Sequence, residues 1–166
     1  MALDYSSKTK IELDNIIANN HPDRSGNKER FLVASEERER RYPGALTFEK
    51  SLAAITQAAK EGRCISFKEM STQNGVTFNK AHWSMAGHLG RLVFYGHVKG
   101  LPMLSTVVVN EAEKTTGKLK PENLAGLIKH ARDIGYLKAD EEIDEEAFVE
   151  AQQQAVFKAA ADGKMG

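Results

Sequence analysis

The chain has 166 residues, 41% of them hydrophobic and 28% charged, with 23 basic and 23 acidic side chains in formal balance, which suits a packed globular protein rather than a disordered one. No apolar run approaches the roughly 20 residues that span a bilayer, and the opening MALDYSSKTKIELD lacks the apolar core of a secretory signal. A single cysteine, Cys64, excludes an internal disulfide and a multi-cysteine zinc site, so the expectation is a cytoplasmic protein with no membrane partner.

Ile11, Leu13, Ile16 and Ile17 form a narrow apolar stripe after Ser6 and Ser7, which predicts a short helix ending at Asn19-Asn20-His21-Pro22. A second helix is expected from about Gly26 to Tyr42, with Phe31, Leu32 and Val33 inside it. Its run Glu36-Glu37-Arg38-Glu39-Arg40-Arg41 can form opposite-charge pairs three and four residues apart on a solvated face. Pro43-Gly44 breaks the pattern and closes a helical arm over residues 1–44.

Thr47 can cap a helix whose Phe48, Leu52, Ile55 and Ala59 share one face, with Gly62 ending it. Cys64-Ile65 predicts a very short strand, and Ser66-Phe67-Lys68-Glu69 fits a capping box opening a short helix that Asn74-Gly75 stops. Asn79, or alternatively Thr77, then caps a longer helix to about His97, with Met85, Leu89, Leu92, Val93 and Gly96 inward. By residue type, Trp83 and Phe94 on its flanks are expected to be buried. After Gly100-Leu101-Pro102, the run Leu104-Ser105-Thr106-Val107-Val108-Val109 is the best predicted strand, and Glu111 to Lys120 suits a wing or a loop. Pro121 starts a helix that Gly135 closes. A last helix begins at the cap Asp144, with Ile143 placed to staple Phe148, and residues 162–166 are expected to fray. The predicted fold is α+β and mostly helical, divided into the arm at 1–44, a core at 45–120 and a C-terminal helical appendage at 121–166 packed on that core.

Charge is uneven along the chain. Residues 63–100 carry five basic side chains against Glu69 alone, a net +4, whereas residues 138–166 carry three basic and eight acidic ones, a net −5. The middle can attract an anion, and the tail repels one.

The order helix, short strand, short helix, turn, long helix, strand, polar connection resembles a winged helix-turn-helix domain over about residues 46–120. That resemblance implies a third helix entering the major groove and a wing touching backbone phosphates. On this sequence it assigns Lys80, Ser84, His88, Arg91 and Tyr95 to one outward stripe, and Lys114, Lys118 and Lys120 to the wing. Lys80 and Arg91 would contact phosphate or guanine, and Ser84 and His88 could serve either. The same stretch is also similar to alkyltransferase-like proteins: Leu101-Pro102-Met103-Leu104-Ser105-Thr106-Val107-Val108 stands where that family has Pro-Cys-His-Arg-Val-Val. Met103 occupies the nucleophile's place, and a thioether cannot act as a thiolate, so only a non-catalytic version is consistent with these residues. The tripeptide His21-Pro22-Asp23 resembles the loop signature of J-domains, which would imply an Hsp70 partner. However, Glu12 and Asp14 stand where that family presents a basic face, and only twenty residues precede the motif. It is read as a proline turn before the next helix cap.

No catalytic site is predicted. His82, His88 and His97 are spaced by six and nine residues, which does not gather them on a helix for a metal. The chain has no GxxxxGK[ST], GxGxxG or GxSxG, and Ala112 breaks a Glu-x-Lys nuclease pattern. No cofactor is expected, and Cys64 reads as a small buried hydrophobe. The predicted function is non-enzymatic nucleic-acid binding, with double-stranded DNA as target. The alternative is a protein-binding adaptor or inhibitor acting through the helical arm or the acidic run Asp140 to Glu146. A small phage or mobile-element regulator fits either reading.

Overall fold

A computed structural model of the chain describes residues 2–21 and 26–165. Pro22 and Asp23 of the J-domain-like tripeptide lie outside the described residues. The described residues form seven helices: α1 (Lys10–Asn19), α2 (Lys28–Arg41), α3 (Phe48–Lys60), α4 (Phe67–Gln73), α5 (Phe78–Val98), α6 (Pro121–Ile134) and α7 (Glu145–Ala161). Two strands, β1 (Ile65–Ser66) and β2 (Val108–Val109), pair in parallel with Ile65 opposite Val108 and Ser66 opposite Val109. The protein is thus α+β and mostly helical.

Local chemistry sets most of the helix ends. Thr9 and Glu12 form a reciprocal capping box on α1, with Thr9 N–H donating to Glu12 Oε2 at 2.7 Å. The hydroxyls of Thr47, Ser66 and Thr77 accept from the third backbone N–H of α3, α4 and α5. Gly62 and Gly75 take φ of +68° and +79° just past α3 and α4, a conformation that side-chain-bearing residues resist. Arg63 and Val76 N–H then return to Ala58 and Ser71 carbonyls, both at 3.1 Å, so α4 and α5 follow their predecessors through tight, hydrogen-bonded turns.

The α1–α2 arm docks on α5 through apolar contact. Phe31 is fully buried, and its ring centroid lies 4.4 Å from that of Phe94. Burying an aromatic side chain contributes about 1.5–3 kcal/mol, so this pair is a principal anchor of the arm. Arg38 Nε donates to Asp14 Oδ1 at 2.6 Å and ties α2 to α1. One buried cluster takes in Phe31 of the arm, Ile55 of α3, Leu92 of α5 and Val156 of α7.

Two expectations are corrected. Leu104–Val107 forms a 3-10 turn, and only Val108–Val109 is strand. The Val-rich segment has the propensity for a longer strand, but its partner β1 is two residues long because α4 begins at Phe67. Thr106 Oγ1 also donates to Met103 carbonyl at 2.8 Å and holds the turn. Residues 110–120, expected as a wing or a loop, form a loop: Glu111–Glu113 makes a 3-10 turn, and Gly117 N–H closes on Glu113 carbonyl at 2.8 Å. Gln153 of α7 pins this loop, its Nε2 donating to Thr106 and Gly117 carbonyls at 2.8 Å each. Second, residues 162–165 do not fray, because Lys164 N–H bonds Ala159 carbonyl at 2.9 Å and the chain turns to bury Met165. No helix among the described residues is long and apolar enough to cross a membrane.

Candidate functional site

Helix α5 changes character along its length. Its first ten residues leave Phe78, Asn79, Lys80, His82, Trp83, Ser84, Ala86 and Gly87 exposed, with only Ala81 and Met85 buried. From His88 onward most side chains are buried between α3, the arm and α6. The free half follows α4 and the Gly75 turn, the place from which a helix-turn-helix presents its second helix. No carboxylate occurs between Glu69 and Glu111 in the sequence, so the positive end of the α5 dipole and Lys80 are not neutralised by any residue of that stretch.

Trp83, expected to be buried, is 90% exposed. It lies two residues from both Ala81 and Met85, about 200° around a helix of 3.6 residues per turn. The inward face was therefore already closed to it. Its indole meets His82 edge-on at 5.0 Å, and His82 in turn meets Phe78 at 5.4 Å. Phe78, His82 and Trp83 form an aromatic strip on the free half. The i, i+4 spacing of Phe78 and His82 is the sequence signal for it.

The residues assigned to nucleic acid fall in separate places. Lys80 and Ser84 are on the free half, with Ser84 Oγ donating to Ala81 carbonyl at 3.2 Å. His88 and Tyr95 do not lie on an outward stripe. His88 is 3% exposed, its Nε2 lying 2.8 Å from Ser51 Oγ, which also accepts from Asn74 Nδ2 at 3.0 Å. Tyr95 is buried against Phe48, its hydroxyl donating to Glu36 at 3.1 Å and accepting from Lys99 at 3.0 Å. The stripe turns inward because the arm and α3 cover the second half of α5. Lys114 is ion-paired with Glu69 and Glu111 and borders, with Lys118, a second cavity against α7. Lys120 is exposed at the N-terminus of α6.

Arg91 lines a cavity of about 1010 Å³ between the arm, α5 and α6. His88, Arg38 and His130 share its wall. Burial holds the His88 imidazole at a pKa of about 4, and repulsion from Arg91 adds to the effect. Partial desolvation and then repulsion from Arg38 push the Arg91 guanidinium below its usual value, while Asp14 opposes the shift. His130 is likewise held low, chiefly by burial.

Ser51 and Met103 are fully buried, and burial raises the pKa of the Cys64 thiol. Among the described residues no three His, Cys, Asp or Glu side chains gather to hold a metal ion. No protein-family model matches the chain, and no curated protein or solved structure matches it.

Proposed function

We propose that this protein binds nucleic acid, with double-stranded DNA as its target, through the free N-terminal half of α5 and without catalysing a reaction. The observation that carries the reading is an exposed, carboxylate-free helix end bearing Lys80, Ser84 and a 90% exposed Trp83 directly after a short helix and tight turn. In such an arrangement the first turns of the second helix reach base edges, lysine neutralises phosphate, and an aromatic face packs on base or sugar. Lys118 and Lys120 are free to add phosphate contacts, whereas Lys114 is engaged by Glu69 and Glu111.

Fluorescence anisotropy with a labelled short duplex, from low to physiological salt, tests the reading. The expected result is saturable binding with a log–log salt slope of about −3 to −5. Lys80→Ala should weaken binding and flatten the slope by about one, and Trp83→Ala should weaken binding roughly tenfold. Absence of binding at low salt would contradict it.

A second reading, a protein-binding adaptor, is favoured by a different observation. Ile11 on the arm is 72% exposed, and the acidic run Asp140 to Glu146 is largely exposed beyond α6. Pull-down with wild-type protein and Ile11→Ser would separate the two, since DNA binding through α5 does not use the arm.

A further inference from the structure

We propose that the cavity between the arm and α5 is a binding site for a small phosphomonoester, a ligand of nucleotide size, with Arg91 as its anion contact. This site shares only Ala86 and Gly87 with the free half of α5: Lys80, Ser84 and Trp83 do not line the cavity.

The first argument is an arginine without a bonded protein partner. Arg91 is exposed at the cavity and makes no hydrogen bond or ion pair with any described residue, although Asp14 lies near enough to favour its charge. Its guanidinium instead folds back toward Gly87, where an added Cβ would stand 3.3 Å from Nη1. The carboxylates that share the cavity are mostly committed elsewhere. Asp14 is held by Arg38 at 2.6 Å, and Asp133 by Lys129 at 2.7 Å. The Glu39 carboxylate accepts from Phe48 and Glu49 N–H at the start of α3. Glu122, in the first turn of α6, is the one carboxylate on this wall without a bonded partner among the described residues. Arg38 and Arg91 repel each other, and Arg91 repels a proton on His88, which is the field an anion would relieve.

The second argument is size and lining. About 1010 Å³ is room for an organic ligand rather than a bare ion, at the upper end of ordinary small-molecule sites. Tyr42, Phe48 and Phe67 give the same cavity aromatic walls on which a planar ring can pack. A guanidinium fork offers two parallel N–H donors to phosphate oxygens, a geometry that a lysine does not match.

Isothermal titration of the full chain with inorganic phosphate and with AMP, at matched ionic strength, tests the inference. Both should bind saturably at one site, AMP at least tenfold more tightly, and phosphate should compete with AMP. Arg91→Gln should lose at least tenfold in affinity for both. This variant removes no hydrogen bond seen in the protein, and circular dichroism should show an unchanged fold. Lys80→Ala should bind AMP like the wild type even where its duplex binding is impaired, which separates this site from the DNA-binding reading. Lack of saturable binding of either probe, or Arg91→Gln binding like the wild type, would overturn it.

Discussion

Ser51 has one hydroxyl proton, and Asn74 Nδ2 already donates to its oxygen at 3.0 Å. The arrangement that uses every proton has Ser51 donating to an unprotonated His88 Nε2 across 2.8 Å, while Asn74 Oδ1 accepts from Thr47 N–H at 2.9 Å. A protonated imidazole would have to donate to Ser51 Oγ, whose own proton would then lose its His88 acceptor, and burial opposes the charge as well. With a folded pKa of about 4 against an ordinary 6.5, the unfolded chain takes up the proton first as pH falls. Stability therefore drops from about pH 6.5 downward and levels off below about pH 4, by about 3 kcal/mol in total and about 2 kcal/mol by pH 5. His97 and His130, also held low, add to this slope in wild type and variant alike. Urea unfolding at pH 7 and pH 5 should show the gap between wild type and His88→Gln narrowing at the lower pH. Parallel losses would contradict the assignment. Ser51→Ala should cost about 1–3 kcal/mol at neutral pH, because it strands two buried polar groups, again read from urea midpoints.

Two glycines in α5 make opposite predictions at the scale of the element. Gly87 is exposed and helical, and a Cβ there meets only the flexible end of Arg91. Gly87→Ala should stabilise the protein by up to about 1 kcal/mol in thermal melts. Gly90 faces His130 of α6, whose Cε1 would lie 3.1 Å from an added Cβ, so Gly90→Ala should bring no gain and should loosen the α5–α6 packing. The helices themselves were legible in the sequence because their signals are local: Thr47, Thr77, Asp144 and Pro121 mark starts, and Gly62, Gly75 and Gly135 mark ends. The strand expected over Leu104–Val109 was not, since its length depends on a partner 43 positions away in the sequence, Ile65 opposite Val108, rather than on its own valines. Trp83 was misjudged by residue type although its helical phase pointed outward. His88 and Tyr95 were misplaced for the converse reason: the stripe's spacing is sound, but nothing local announces that the arm and α3 cover it.

At the scale of the molecule, the C-terminal segment is structural. Val149, Val156, Ala159 and Ala160 of α7 are buried, and Gln152 and Gln153 hold Met103, Thr106 and Gly117 backbone groups. Deleting residues 138–166 should therefore collapse the fold, visible as lost cooperativity in circular dichroism melts. The arm, in turn, fixes which part of α5 is free: by covering much of the second half it leaves Lys80, Trp83 and Ser84 as the presented face, with Arg91, itself exposed, at the cavity behind. Trp83 is the chain's single tryptophan, so its intrinsic emission reports on that face alone. Titrating the protein with short duplex DNA at low salt should quench or shift this emission saturably, and raising the salt to physiological strength should reverse much of the change. An emission spectrum that stays constant throughout the low-salt titration would contradict DNA binding by the free half of α5.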